Sequence, residues 1–179
     1  MESATLAGGC FWCTEAIYKR LKGVISVEPG YAGGDIPNPS YEDVCNGTTG
    51  HAEAIQFKFD PKIIPFDKLL EIFFHLHDPT TLNRQGNDVG TQYRSVIFYH
   101  NTQQKEIAEK VKQKIEKEKI WKDPIVTKIE PFKNFYVAEN YHKDYYGKNK
   151  EKGYCSFIIT PKINKLLKFY KKEVKEEYQ

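Results

Sequence analysis

The chain has 179 residues, 40% hydrophobic and 14% aromatic, with 28% charged residues and a formal net charge of +3. That is apolar matter enough for one sizeable core, while the mean hydropathy of −0.63 and the lack of any run near the roughly 18 apolar residues of a membrane span exclude membrane-spanning, collagenous and wholly disordered chains. Met1-Glu2-Ser3 shows no basic segment ahead of an apolar run, so no secretory signal is expected; the four cysteines are expected in a reducing, cytoplasmic setting, where thiols are more often catalytic, metal-binding or inert than structural disulfides.

In chain order, residues 4–7 read as a strand ending at Gly8-Gly9. A helix follows, with Trp12 and Ala16, then Ile17 and Leu21, four apart on one face and Gly23 as its stop. Residues 24–27 make a short strand. Residues 30–50, rich in Gly, Pro, Asn and Thr, read as a long loop whose tyrosines argue for order; Asn46-Gly47 lacks the flanking alternation of a hairpin. Residues 54–59 alternate, with Ile55, Phe57 and Phe59 on one side and Gln56 and Lys58 on the other: a half-buried strand closed by Asp60-Pro61. Residues 66–76 are a strongly apolar helix, 77–94 a second polar loop, and 95–99 a central strand. Asn101 can cap a helix with Ile107, Val111 and Ile115 on its core face. Further expectations are a strand at 125–129, a short helix at 138–146 and a last strand at 155–160. Thr160-Pro161 then opens a lysine-rich helix at about 161–176, with a core face of Ile163, Leu166, Leu167, Tyr170 and Val174 and a frayed tail beyond. With no repeat and no linker, residues 1–179 are expected to form a single α+β domain, a sheet with helices packed on it and two long ordered loops.

The charge is uneven: residues 1–100 carry 8 Lys/Arg against 12 Asp/Glu, and residues 101–179 carry 19 against 12. A basic half raises the question of nucleic acid. Lys110, Lys112, Lys114 and Lys117 run among Glu116 and Glu118, however, as on a solvated helix surface, and no nucleic-acid partner is expected.

The sharpest chemical feature is Gly8-Gly9-Cys10-Phe11-Trp12-Cys13. It puts Cys10 between a strand and a helix start, where free N–H groups and the positive helix end favour a thiolate and two glycines allow a sharp turn that leaves the sulfur accessible. Cys10 and Cys13 are a C-x-x-C pair, spaced for a redox disulfide. Half of a zinc site is the other use of that spacing, but Cys45, His51 and Cys155 supply no second close pair, and no metal is expected. Phe11 and Trp12 are either core or an apolar wall suited to a methyl or thioether group. Glu53, in Gly50-His51-Ala52-Glu53, opens an apolar strand. It is either an ordinary strand-end carboxylate or a general acid with a raised pKa; His51 reads as a residue that orders the loop. The polar run from Arg84 to Ser95 leads into a strand and could bring Tyr93 to its end, or be a surface loop. Ala138-Glu139-Asn140-Tyr141-His142 is a further candidate, or simply a polar helix face. Phosphate-loop patterns are absent, so no nucleotide cofactor is expected.

Taken together these segments resemble the peptide methionine sulfoxide reductase A family. The resemblance rests on Gly9-Cys10-Phe11-Trp12, Gly30-Tyr31-Ala32-Gly33-Gly34, the run from Tyr41 to Glu53, His77-Asp78-Pro79 and the run from Arg84 to Ser95, in order over about residues 4–160. It implies a two-layer ferredoxin-like α/β plait and an enzyme reducing the S epimer of methionine sulfoxide, free or in proteins, with no cofactor. It further implies that Cys10 is the nucleophile, that Phe11 and Trp12 form the methyl pocket, and that Glu53 is the acid at the sulfoxide oxygen. Tyr41 and Tyr93 would hold that oxygen, with Asp88 a polar partner. The chemistry fits: a thiolate attacks sulfur while an acid and hydroxyls stabilise the oxygen, leaving methionine and a cysteine sulfenic acid. A resolving thiol then forms a disulfide that thioredoxin or another dithiol reduces. Gly153-Tyr154-Cys155 resembles the family's resolving segment, Cys13 stands where the family often has glycine, and Cys45 is taken as structural. Between the two resolving candidates Cys155 is favoured over the nearer Cys13. A monomer is expected. The competing readings are a thioredoxin-like disulfide oxidoreductase using Cys10 and Cys13, which leaves Glu53 and the tyrosines unexplained, and an RNA-binding module with stacking aromatics.

Overall fold

The computed structural model describes residues 1–179. In chain order the elements are β1 (Glu2–Gly8), α1 (Phe11–Lys19), β2 (Val24–Ala32), α2 (Tyr41–Cys45), β3 (Ala52–Phe59), α3 (Phe66–Leu76), β4 (Arg84–Gln85), β5 (Asp88–Val89), β6 (Ser95–Tyr99), α4 (Thr102–Lys117), β7 (Lys128–Pro131), β8 (Phe135–Val137), α5 (Tyr145–Lys148) and α6 (Thr160–Tyr170). Six strands form one sheet in the order β7-β6-β1-β3-β2-β8, and β4 and β5 form a separate small hairpin. Only β6 and β7 run parallel; β1–β3, β1–β6, β2–β3 and β2–β8 are antiparallel.

The alternation in β3 places the core. Ile55, Phe57 and Phe59 are buried on the side where α1 and α3 pack. Tyr18 of α1 lies against Phe57 with ring centroids 4.9 Å apart, and its hydroxyl donates to the Leu69 carbonyl of α3 at 2.7 Å. The other side of the sheet has a smaller cluster of Ala7, Ala32, Ala52, Ala54, Val96 and Phe98, flanked by Phe132 and Phe135. No helix is long and apolar enough to cross a membrane.

The strand at 4–7, the helix at 66–76, the strand at 95–99 and the helix capped by Asn101 form where expected, and Asn101 accepts from the Gln104 N–H at 2.9 Å. Seven expectations change. β2 runs on to Ala32, so Gly30, Tyr31 and Ala32 belong to the sheet, paired with β3 on one side and β8 on the other. The long loop after it contains α2, whose start Ser40 and Asp43 secure with a reciprocal capping box. The strand expected at 125–129 begins at Lys128. The helix expected at 138–146 is broken into a 3-10 turn at Asn140–His142 and α5, with a left-handed Asp144 (φ 52°) between them.

Residues 155–160 are not a strand. Cys155–Ile159 is a π-helical turn leading into α6. The buried residues Cys155, Ile159, Ile163, Leu166 and Tyr170 recur at helical spacing, and the Thr160 hydroxyl donates back to the Cys155 carbonyl at 3.2 Å. α6 stops at Tyr170, short of the expected 176. The tail is not frayed: Val174 is fully buried and bridges Leu21, and the Lys175 N–H donates to the Arg20 carbonyl at 2.8 Å. Val174→Ala is therefore expected to destabilise the fold by about 1–3 kcal/mol. At roughly 2–4 °C per kcal/mol for a chain of this size, thermal unfolding would report the loss; an unchanged Tm would mean that the tail contributes nothing.

Candidate active site

The turn between β1 and α1 sets the site. Gly9 has φ +89°, and a Cβ there would meet the Gln85 side chain at 2.6 Å; only glycine fits both demands. Cys10 is the N-cap of α1, and the Cys13 N–H donates to its carbonyl at 3.1 Å.

Glu53 continues the core-facing row of β3 and is 1% exposed. Its Oε1 accepts the Phe11 backbone N–H at 3.1 Å, while Oε2 is buried without a partner. Burial pushes this carboxyl up to about 8, against the pull of the Phe11 N–H; Asp88 and Cys13 push it further. Of the two readings of Glu53, the strand-end carboxylate in water is thus the one the structure discards.

The same burial corrects the view of Cys10. The sulfur is not freely accessible: the residue is 7% exposed. Its thiol is driven well above the ordinary value by burial, then by the neighbouring Cys13 thiol and the charge of Glu53, with the Trp12 N–H opposing. The helix start does not yield a resting thiolate because burial outweighs it, and its first N–H, that of Phe11, is taken by Glu53. Cys13 is shifted the other way, to about 7, first by its interaction with the Cys10 thiol against burial, with help from Lys162 and the Tyr154 hydroxyl. Cys155 is fully buried beneath the π-helical turn, and burial followed by the charge of Cys13 raises its thiol. All four cysteines are free thiols.

Aromatic residues surround the sulfurs, though unevenly. Phe11 is fully buried, against Tyr31, Tyr41 and His142 at centroid distances of 5.7, 6.3 and 5.0 Å. Trp12 is half-buried and held twice: its Nε1–H donates to His142 Nδ1 at 3.0 Å, and its ring stacks on Tyr145 at 3.7 Å and 7°. The half-buried Tyr41 and Tyr93 both feel the charge of Glu53, and burial raises both phenols. Asp88, on the β4–β5 hairpin, accepts the Tyr154 hydroxyl at 2.6 Å, and that oxygen lies 3.9 Å from Cys13 Sγ. Cys45 is half-buried beside Tyr41, with its thiol raised by burial. His51 orders the loop as expected: Nδ1 accepts the Gly34 N–H at 2.9 Å and Nε2–H donates to the Ile36 carbonyl at 2.7 Å.

Sequence reasoning missed the far wall. Glu139 accepts the Tyr31 hydroxyl and the Tyr41 N–H, each at 2.9 Å. Burial works against its charge, yet these donors hold its pKa below the ordinary value. Glu139 and His142 lie in a segment the sequence had marked, but the partners of Tyr145, Tyr154 and Tyr31 come from distant elements and leave no local pattern. A surface cavity of about 530 Å³, lined by Ile115, Trp121 and Ile125 among others, contains none of these residues.

The buried glutamate fixes a pH dependence. Its native value near 8 exceeds the free value of 4.5, so the stability that protonated Glu53 contributes is fully present below pH 4.5 and lost as pH rises through 8. Glu53→Gln, which keeps an acceptor for Phe11, should have a higher Tm than the wild type at pH 9, with the gap closing toward pH 5. A constant gap would mean that Glu53 is ionised throughout.

Comparison with known proteins agrees with this constellation. The family described as "Peptide methionine sulfoxide reductase" matches residues 2–175. A peptide methionine sulfoxide reductase MsrA of Saccharolobus solfataricus is 61% identical over 175 residues, covering 98% of each chain, and one of Thermus thermophilus is 54% identical, covering 95% of this chain and 96% of that protein. Among solved structures, Mxr1 of Saccharomyces cerevisiae in reduced form is 42% identical with a TM-score of 0.78, covering 86% of this chain and 88% of that one. Mxr1 in complex with Trx2 is 33% identical with a TM-score of 0.55, covering 80% and 84%.

Proposed function

The chain belongs to the peptide methionine sulfoxide reductase family, and from that premise we propose that Cys10 and Glu53 divide the reduction of a methionine S-sulfoxide, free or in proteins, between them. The enzyme is a thiol-dependent oxidoreductase returning methionine sulfoxide to methionine. The observation that carries the division of labour is the partnerless, buried Oε2 of Glu53, on a carboxyl whose other oxygen is tied to the residue next to Cys10.

A neutral Glu53 meets the sulfoxide oxygen as a donor, with Tyr41 and Tyr93 as further hydroxyls and Trp12, backed by Phe11, against the methyl group. Once Glu53 is neutral, its charge no longer opposes a thiolate on Cys10. The sulfur of Cys10 attacks the substrate sulfur while Glu53 passes its proton to the sulfoxide oxygen and the thiol proton of Cys10 returns to Glu53; the hydroxyl then moves to the Cys10 sulfur as the new S–S bond and the old S–O bond break, so that the substrate gains two electrons and Cys10 is left as a sulfenic acid. Methionine departs. Cys13 stands three residues from Cys10 at the start of α1, and each thiol shifts the titration of the other, which supports Cys13 as the first resolver: its sulfur bonds to that of Cys10 and water leaves. Cys155, close enough to sense the charge of Cys13, then displaces Cys10 and carries the disulfide outward, which keeps it as the final resolving thiol. A dithiol protein of the thioredoxin kind, as the Mxr1–Trx2 complex suggests for that relative, reduces it. Asp88 fixes the Tyr154 hydroxyl next to Cys13. A disulfide oxidoreductase would need the cysteines alone; it gives no use to Glu53.

The order β6-β1-β3-β2, with α1 and α3 on one face, supports reading the centre as a ferredoxin-like plait. We take residues 1–179 as one catalytic domain that works as a monomer in the cytoplasm, away from membranes.

Cys10→Ser is expected to abolish even a single turnover with dithiothreitol present; substantial residual reduction would sink the assignment. Loss of a general acid costs roughly 10²–10⁴-fold in rate, so Glu53→Ala should fall in that range and Glu53→Gln, which keeps a donor, should lose less. Equal activity of the three proteins at neutral pH would remove Glu53 from the mechanism. After one equivalent of sulfoxide and thiol blocking, disulfide mapping should find Cys13–Cys155 in the wild type and Cys10–Cys13 in Cys155→Ser. A Cys10–Cys155 bond in Cys13→Ser at the wild-type rate would refute the relay.

A further inference from the structure

Trp12, Glu15 and Lys19 lie three and four residues apart on one face of α1, and all three engage the turn that precedes α5. Trp12 stacks on Tyr145 and donates to His142. Lys19 Nζ pairs with Asp144 Oδ1 at 2.9 Å. Between them Glu15, 3% exposed, accepts the Asp144 backbone N–H with both carboxyl oxygens at 3.0 Å. Asp144 is held at φ 52°, a left-handed conformation uncommon outside glycine that Asp and Asn adopt more readily than other residues. The turn closes tightly: a Cβ on Gly147 would lie 2.5 Å from the Asp144 carboxylate. Tyr145, the residue directly after Asp144, takes its direction from this turn.

We propose that Glu15 is a positioning residue of the sulfoxide pocket: by gripping the Asp144 N–H it fixes the left-handed turn that lays Tyr145 on Trp12, and so sets substrate affinity and not the chemical step. The proposal rests on the reading of Trp12 as pocket wall. Nothing in the proposed reaction otherwise uses this buried carboxyl. Its ionised form is the better acceptor, and burial followed by the neighbouring Asp144 leaves it titrating at about 7 although the Asp144 N–H and Lys19 favour its charge. The grip therefore tightens as pH rises through neutrality. The charged groups facing it are Lys19 on its own helix, Glu28 on β2, and Lys143 and Asp144 in the turn.

The test compares wild type, E15Q and E15A, each in a Trp121→Phe background so that Trp12 is the sole indole. With dithiothreitol and a methionine S-sulfoxide peptide at pH 8, E15A should raise KM about tenfold, as for one lost hydrogen bond to a charged acceptor, E15Q less, and kcat should stay within roughly twofold. Trp12 emission should move to longer wavelength as the ring leaves the face of Tyr145. The ratio of the E15Q to the wild-type KM should approach one at pH 6, where both side chains are neutral; Glu53 and the four facing charges are common to both proteins and cancel. E15Q should melt no lower than the wild type at pH 8, which separates the KM effect from unfolding. Unchanged KM in both variants, a pH-independent ratio, or lost kcat with unshifted emission would overturn the proposal. A wild type inactive on the sulfoxide would instead refute the reductase reading, and the Trp12 emission would still decide whether Glu15 holds the turn.

Discussion

The first backbone N–H of α1, that of Phe11, goes to a buried carboxyl beside a buried thiol. A helix beginning at Cys10 would ordinarily offer its first free N–H groups to the sulfur and stabilise a thiolate. Here the first is spent on Glu53, which is buried in the core-facing row of β3 and has no other donor. Carboxyl and thiol thus share one dry site with too few donors for two negative charges, and the resting state keeps both neutral. In the reaction proposed above, a sulfoxide oxygen accepts from neutral Glu53, and a carboxyl that holds its proton sets no charge against a thiolate on Cys10.

The rest of the molecule keeps these groups in place without adding charge. β3 is gripped by β1 and β2 in register, so Glu53 pairs with Tyr31 across β2, and the Tyr31 hydroxyl runs on to Glu139. Glu139 also holds the first N–H of α2 and with it Tyr41. The segment from Glu139 to Tyr145 is therefore pinned at one end by β2 and α2 and at the other by Glu15 and Lys19 of α1. Its middle holds the indole N–H of Trp12 through His142. A wall fastened at both ends orients an aromatic ring at lower entropic cost on binding than a free loop would.

How far the sequence could be read follows from the range of each interaction. β3, α3 and β6 have short, strong patterns whose burial is decided by their own alternation or helical stripe, and they form where that pattern places them. The Gly-Gly-Cys turn is equally local. Residues 155–160 read as a strand because a short, mostly apolar run with β-branched residues suits a strand or a buried helix equally; the deciding fact, that Cys155 and Ile159 continue the stripe of Ile163, Leu166 and Tyr170, emerges only when the window crosses Thr160-Pro161. β2 was cut short because Gly30 looks like a loop residue, whereas a Cβ there would lie 2.4 Å from the Tyr136 carbonyl: it is glycine so that β8 can approach. The ionisation states were the least legible. Helix-start chemistry is written in the sequence, but the burial that opposes it is not, nor is the carboxyl 42 positions away that takes the Phe11 N–H.

The position of Cys155 then follows from opposed needs. A resolving thiol must reach an inner sulfur and afterwards an external dithiol, and a strand meets neither need without breaking its ladder. A π-helical turn has one residue more than the α-helix it interrupts, and such turns are found mostly at functional sites. Here it leaves Cys155 buried toward Cys13 while Phe157, 80% exposed, sits two residues on at the surface. In the relay proposed above, Cys13 hands the disulfide on, so Cys155 does not have to reach Cys10 itself.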